Sequence, residues 1–99
     1  MQLEEYKASL RADKPPSNAG GCLEALWHDG RNDWEAAHRI AQDIEDRNGF
    51  LIHAYLHRKE GDAWNAEYWY RKAGNSTPDC SLDKEWEELV IKMLELHSR

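Results

Sequence analysis

The stretch that decides the fold covers residues 50–78 and reads FLIHAYLHRKEGDAWNAEYWYRKAGNSTP. In its first third, apolar side chains surround most of a helix drawn at 100° per residue, and only His53, His57 and Glu60 share a polar sector. A helix that is apolar nearly all round is typical of the centre of a domain. Gly61-Asp62 then turns the chain and caps a second helix, whose inner face carries Ala63, Ala66, Trp69, Tyr70 and Ala73.

Apolar residues at helical spacing predict further helices on both sides of this hairpin. Residues 3–12 form an N-terminal helix, and residues 13–21 form a loose linker, because Pro15-Pro16 and Gly20-Gly21 interrupt the helical pattern. We expect the rest of the chain, residues 22–98, to be a helical core. It begins with a short helix at 22–29, continues with a helix capped by Asn32 and ended by Asn48-Gly49, and closes with an amphipathic helix at 82–97 capped by Ser81.

Length and composition narrow the class of protein. The 99 residues suit a single domain, and no segment alternates apolar and polar residues, so we predict an all-α fold of antiparallel helix hairpins. The formal net charge of −6 disfavours a nucleic-acid partner, because Lys and Arg carry most phosphate contacts. The chain has no apolar run of about 18 residues and no signal segment at its start, so we expect a cytoplasmic protein without a membrane span.

A weak internal repeat accompanies this pattern. Trp34-Glu35-Ala36 and Trp64-Asn65-Ala66 lie 30 residues apart, and each is predicted to start a helix shortly after a glycine. This is the period of helix-hairpin repeats. Residues 50–78 resemble a tetratricopeptide repeat, through an aromatic residue, small residues at the helix crossing, a glycine turn and a final proline at that family's spacing: Phe50, Ala54, Gly61-Asp62, Ala66, Tyr70, Ala73 and Pro78.

The resemblance implies a short tetratricopeptide-like solenoid. In that arrangement the preceding residues 22–47 are a degenerate second copy with one extra residue in its turn, and the last helix is a cap. The chain departs from the family where His53 and His57 occupy positions that are usually apolar or aromatic. The string from His53 to Gly74 is also similar to a group of small uncharacterised proteins, which implies a fold and no activity.

The paired histidines are the candidate metal ligands. His53 and His57 are separated by four residues, so both imidazoles can reach one ion, and Glu60 lies about one turn further on. The protease pattern His-Glu-x-x-His is absent. Two ligands make an incomplete site, which His28 or His38 can complete if the hairpins face each other. The alternative is a hydrogen-bonded, half-exposed pair with no ligand.

Two groups of residues are candidate partner-binding positions. Trp64, Tyr68, Arg71 and Lys72 lie opposite the alanine face, and aromatic residues and arginine are enriched at binding hot spots. The alternative is that Trp64 and Tyr68 receive the last helix through Trp86 or Leu89. The resemblance to tetratricopeptide repeats implies that a groove for extended peptides lies near Tyr55, Arg58 and Lys59. The alternative is that these residues are a solvated helix end.

No motif points to catalysis or to a bound cofactor. The chain has neither a glycine-rich phosphate loop nor a Ser/His/Asp signature, so we assign no catalytic residue and expect no cofactor. Cys22 and Cys80 are expected to be reduced thiols, although a bridge between them stays open. The acidic segments Asp43-Glu45-Asp46 and Glu85-Glu87-Glu88 are expected to be solvated faces.

The sequence therefore supports two functions of different classes. The first is a protein-interaction module or a small homo-oligomeric scaffold, and the second is a metal- or small-ligand-binding protein, or an enzyme, that uses His53 and His57. Self-association is expected because a two-hairpin solenoid leaves one hairpin face without a neighbour. A homodimer would then cover the apolar surface that we expect to be exposed near the N-terminus: Leu3, Tyr6, Leu26 and Trp27.

Overall fold

The computed structural model describes residues 1–97 and confirms the all-α prediction. Within these residues there are six helices and no strand: α1 (Leu3–Ser9), α2 (Gly20–Gly30), α3 (Trp34–Ala41), α4 (Arg47–Lys59), α5 (Ala63–Lys72) and α6 (Leu82–His97). The predicted bounds of the last helix are correct, whereas residue 98 of the predicted core lies outside the described residues. None of the helices in residues 1–97 combines the length and the apolar character that crossing a bilayer requires.

Helix α4 is the centre of the molecule, as its nearly uniform apolar surface predicts. Six consecutive residues, from Leu51 to Leu56, are buried, including the imidazole of His53. The helices α2, α3, α5 and α6 all pack against it. Each large apolar side chain that is buried in this way contributes about 1.5–3 kcal/mol.

The turns of the hairpins α2–α3 and α4–α5 have the same geometry. In each, a residue with positive φ, Asn32 at 63° or Gly61 at 88°, precedes an aspartate. The backbone N–H of that aspartate bonds to the carbonyl five residues earlier, at 2.9 Å in both turns, and its side chain caps the next helix. The caps are Asp33 and Asp62, so the prediction of Asn32 as the cap is wrong by one residue.

This shared turn sets the register of the two hairpins at 29 residues, and two details of the predicted repeat are therefore wrong. The first turn contains no extra residue, because both bonds that close the turns span five positions. Trp34 and Trp64 are not equivalent: α3 begins at Trp34, whereas α5 begins one residue before Trp64. Their surroundings differ accordingly, since Trp34 is half-buried and Trp64 is exposed.

The junction between the hairpins also differs from the prediction. Helix α3 ends at Ala41, and Asn48-Gly49 lies inside the first turn of α4 rather than at a helix end. Asp46 caps α4, because its carboxylate accepts a hydrogen bond of 2.9 Å from the N–H of Gly49. Only glycine fits there, since a Cβ atom would lie 2.0 Å from the carbonyl oxygen of Ile44. Asn-Gly, a pair that ends many helices, therefore lies at the start of α4, where Gly49 allows close contact with Ile44.

The N-terminal segment is tied to the core, contrary to the predicted loose linker. Helix α1 ends at Ser9 rather than at residue 12, and Gly20 and Gly21 belong to α2. The hydroxyl of Tyr6 donates to the carbonyl of Leu23, and the indole N–H of Trp27 donates to the carbonyl of Ser9 at 3.0 Å. Of the apolar surface that we expected to be exposed, Tyr6, Leu26 and Trp27 are buried and Leu3 is half-buried. The stated reason for self-association therefore does not hold.

We predict that Ala66→Leu destabilises the protein by about 1–3 kcal/mol, because extra methylenes do not fit a closely packed helix crossing. Ala66 is buried on the inner face of α5, whereas Ala63, one turn earlier, is exposed. Ala63→Leu is therefore the matched control. Chemical denaturation should show a lower free energy of unfolding for Ala66→Leu alone, and equal effects of both variants would place the crossing elsewhere.

Candidate functional site

Three imidazoles meet between α3 and α4. His53 and His57 lie one turn apart on α4, and His38 of α3 faces both. The Nε2 atoms of His38 and His53 are 3.0 Å apart, and the ring centroids of the three residues lie 4.6–5.1 Å from one another. One nitrogen from each ring lies within 4.8 Å of the nitrogens of the other two. The structure thus supplies the third histidine that the two-histidine pattern lacked.

Tryptophan rings hold two of these imidazoles in place. Trp34 stacks on His38 with centroids 4.8 Å apart, and its indole N–H donates to the carbonyl of Leu56 at 2.7 Å. Trp69 of α5 stacks on His53 at 4.1 Å. These contacts span three helices, so the positions of the rings depend on the packing of both hairpins. We call His38, His53 and His57 the histidine cluster.

A carboxylate determines the tautomer of the third imidazole. Oε1 of Glu60 lies 2.6 Å from Nδ1 of His57. A carboxylate only accepts hydrogen bonds, so we assign the proton of the His57 ring to Nδ1. In the neutral ring Nε2 then carries the free lone pair, which is the arrangement that acidic neighbours give to metal-ligating histidines.

Burial favours the neutral form in the other two rings. The pKa of His53 is lowered to about 4, mainly by loss of hydration and, in smaller part, by the nearby His38, His57 and Lys72. Burial also lowers the pKa of His38, followed in size by the effect of His57. Both imidazoles are therefore uncharged near neutral pH, and an uncharged imidazole is the form that binds metal ions.

Neither His28 nor Asp62 adds a ligand to the cluster. His28 lies edge-on against Trp27 and has no part in the cluster. Asp62 has an oxygen within 4.8 Å of ligand atoms of His57 and Glu60, but its carboxylate is engaged with the backbone N–H and side chain of Asn65. The cluster therefore offers three nitrogen ligands with one supporting carboxylate.

The residues expected to line a peptide groove bind acidic side chains of the protein itself. Tyr55 is buried, and its hydroxyl donates to the carboxylate of Asp29 at 2.7 Å. Lys59 binds the other oxygen of that carboxylate at 2.9 Å, and Arg58 binds the carboxylate of Glu85 at 2.7 Å. The hydroxyl of Tyr55 and the cations of Arg58 and Lys59 therefore already have acidic partners, while Tyr55 and Lys59 also line an open depression of about 310 Å³.

Glu85 corrects a second expectation, that its acidic segment is wholly solvated. This carboxylate is buried. Its loss of hydration is compensated by hydrogen bonds that it accepts from Arg58 and from the hydroxyl of Tyr70, the latter at 2.6 Å. Glu88 is exposed, as expected, and Glu87 is half-buried with Lys7 as its ion-pair partner. Glu85 is thus part of the link between α4, α5 and α6.

The outer surface of α5 is exposed. The side chains of Trp64 and Tyr68 are 77% and 46% exposed, so neither is covered by α6. Arg71 and Lys72 are exposed on the same helix, and Lys72 lies 4.9 Å from the centroids of both Phe50 and Trp69. The alternative that the last helix covers Trp64 and Tyr68 is therefore wrong.

The two thiols are free. Cys22 is half-buried on α2, and burial raises the pKa of its thiol to about 11, so its reactive thiolate form is scarce at neutral pH. Cys80 directly precedes the N-cap of α6. Neither thiol belongs to the histidine cluster.

The chain matches none of the protein-family models, curated proteins and solved structures with which it was compared. The candidate site therefore rests on its own geometry. The spacing in the sequence indicates His53 and His57 but does not place His38, because that residue joins them only when α3 packs antiparallel to α4. The roles of Trp34 and Trp69 as ring supports had no sequence signal beyond their aromatic character.

We predict that the protein loses stability between pH 6.5 and pH 4 in the presence of a chelator. In this window an unfolded chain takes up a proton at His53, whereas the folded chain does not, because its folded pKa is lowered to about 4. The contribution of His53 is full at pH above 6.5 and falls by about 3 kcal/mol by pH 4.

The comparison that isolates this residue is His53→Gln, with His28→Gln as the control. Denaturation at several pH values should show that the difference in unfolding free energy between wild type and His53→Gln changes across the window. A difference that is constant from pH 7 to pH 4 contradicts the prediction.

Proposed function

We propose that the protein binds one divalent transition-metal ion at the histidine cluster. The observation that carries this proposal is the convergence of His38 from α3 on His53 and His57 from α4. Three neutral imidazole nitrogens are a common ligand set for zinc, and imidazole also suits copper and nickel. Sequence analysis favoured an interaction module; the third histidine and the engaged groove residues shift the balance toward metal binding.

The distances support this ligand set. Ligand nitrogens bound to one tetrahedral zinc ion lie about 3.3 Å apart, given bond lengths of about 2.0–2.1 Å. The Nε2 atoms of His38 and His53 are 3.0 Å apart, and the widest separation in the set is at most 4.8 Å. The widest separation has to shorten by at most about 1.5 Å for all three nitrogens to reach one ion, and rotation of the imidazoles can supply this.

The residues around the histidine cluster favour binding of a cation over an arrangement in which the imidazoles only stack and hydrogen-bond with one another. Glu60 lies behind His57 and adds negative charge to a site whose three ligands are neutral when they bind. Such carboxylates orient the imidazole and raise its basicity, and their loss typically costs about 10–100-fold in metal affinity. Three protein ligands also leave a fourth position for water, which is the pattern of reactive rather than purely structural zinc sites.

The proposal extends to the repeat type of the two hairpins and to the location of the protein in the cell. The shared 29-residue register and the buried small residues at equivalent positions, Ala25 with Ala54 and Ala37 with Ala66, support a tetratricopeptide-like unit in which α6 packs across α2 and α4 and α1 packs on α6. We place the protein in the cytoplasm, in keeping with its two free thiols. The site then lies where the first hairpin meets the second.

We predict that the purified protein, stripped with a chelator, binds one equivalent of Co²⁺ or Zn²⁺ near neutral pH. Titration calorimetry should give the stoichiometry, and Co²⁺ should develop visible absorption bands. His38→Gln should lower the affinity by more than tenfold, because it removes one of three ligands, and Glu60→Gln should lower it by about tenfold.

His28→Gln is the matched control, since it removes an imidazole that lies outside the cluster. Circular dichroism of each variant checks that the helices persist. Absence of saturable binding by the wild type would overturn the proposal, and so would an equal loss of affinity in His28→Gln and His38→Gln.

A further inference from the structure

The outer face of α5, formed by Trp64, Tyr68 and Arg71, is an exposed surface whose residue types favour the binding of a partner. Trp64 has the largest exposed fraction, 77%, among the exposed large apolar residues of the described chain. Tyr68 is edge-on to Trp69, so its ring is supported from below while its outer side stays exposed. Exposed Trp, Tyr and Arg side chains are the types that dominate binding energies at interfaces.

The charge of this face is opposite to that of the whole chain. The chain carries a net charge of −6, whereas α5 carries Arg71 and Lys72 against one acidic residue, Glu67. Arg71 makes no ion pair or hydrogen bond through its side chain within residues 1–97. An unpaired guanidinium on an acidic protein is a favourable site for a carboxylate, which it can bind with two parallel hydrogen bonds.

A depression of about 250 Å³ continues this face beyond the end of α5. Its wall includes Arg71, Asn75, Ser76 and Thr77, and Glu67 and Tyr70 complete it. The hydroxyls of Ser76 and Thr77 can donate hydrogen bonds to an acidic group. A second guanidinium is close, because Arg47 donates to the side-chain oxygen of Asn75 at 2.9 Å.

We propose that the outer face of α5 docks an acidic peptide segment of another protein. An apolar side chain of the peptide lies over Trp64 and Tyr68, and a carboxylate enters the depression beside Arg71. This inference is independent of the metal site, since none of its residues belongs to the histidine cluster.

The size of the face favours a peptide over a second copy of the chain. Helix α5 has ten residues and is therefore about 15 Å long. A stable interface between two folded proteins needs about 800 Å² from each partner, which is more than one exposed side of so short a helix offers. A peptide needs fewer contacts, and one of its carboxylates can pair with Arg71.

The test uses a set of synthetic twelve-residue peptides that combine Asp or Glu with Leu, Phe or Pro, each paired with a version in which Asn and Gln replace the acids. Fluorescence anisotropy should show saturable binding of acidic members, at least fivefold tighter than the neutral versions, and weaker binding at high salt. Trp64→Ala and Arg71→Gln should each weaken binding by more than fivefold.

Arg11→Gln is the matched control, because it removes an exposed positive charge outside α5. Sedimentation of the free protein and binding of a single-stranded oligonucleotide are measured alongside. The proposal is overturned if no acidic peptide binds, if Arg11→Gln weakens binding as much as Arg71→Gln, or if Trp64→Ala leaves binding unchanged. It is also overturned if the face binds the oligonucleotide instead, or if Trp64→Ala abolishes a dimer of the free protein.

Discussion

The burial of α4 on every side is the constraint on which the rest of the structure depends. Its residues from Leu51 to Leu56 have no solvent-facing side, so neighbouring helices must surround them. Helices α2 and α3 cover one part of α4, and α5 and α6 cover the remainder. Of the polar sector of α4, His53 is enclosed as well, because it is packed against Trp69 and against a second imidazole. The same constraint that builds the core therefore assembles the histidine cluster.

The packing around α4 buries several polar side chains, and these form hydrogen bonds and ion pairs with side chains of other helices. Asp29 of α2 binds Tyr55 and Lys59 of α4, and Glu85 of α6 binds Arg58 of α4 and Tyr70 of α5. In residues 1–97 no buried side-chain nitrogen or oxygen lacks a hydrogen-bond partner. These pairs explain why α4 can carry three cationic or imidazole side chains near its end and still be central. They also engage the polar groups of Tyr55, Arg58 and Lys59 with acidic side chains of the protein itself.

The sequence predicts the helices well and their mutual contacts only in part. Periodicity identifies α4, α5 and α6, because their apolar positions repeat strongly, and Asp62 and Ser81 act as the expected caps. It misplaces the start of α4, because Asn48-Gly49 has the composition of a helix end while Gly49 is needed for contact with Ile44. For the site, two histidines on one helix are visible as a spacing. The third is fixed by packing between helices, a long-range relation that one sequence does not display.

The central claim is that packing around α4 brings three imidazoles to one ion. X-ray absorption at the cobalt or zinc edge of the loaded protein tests it most directly, because the spectrum counts the ligand atoms and identifies imidazole. The account predicts three imidazole nitrogens at about 2.0–2.1 Å and one further light atom. A first shell with sulfur, or with a single imidazole among oxygen ligands, would contradict it.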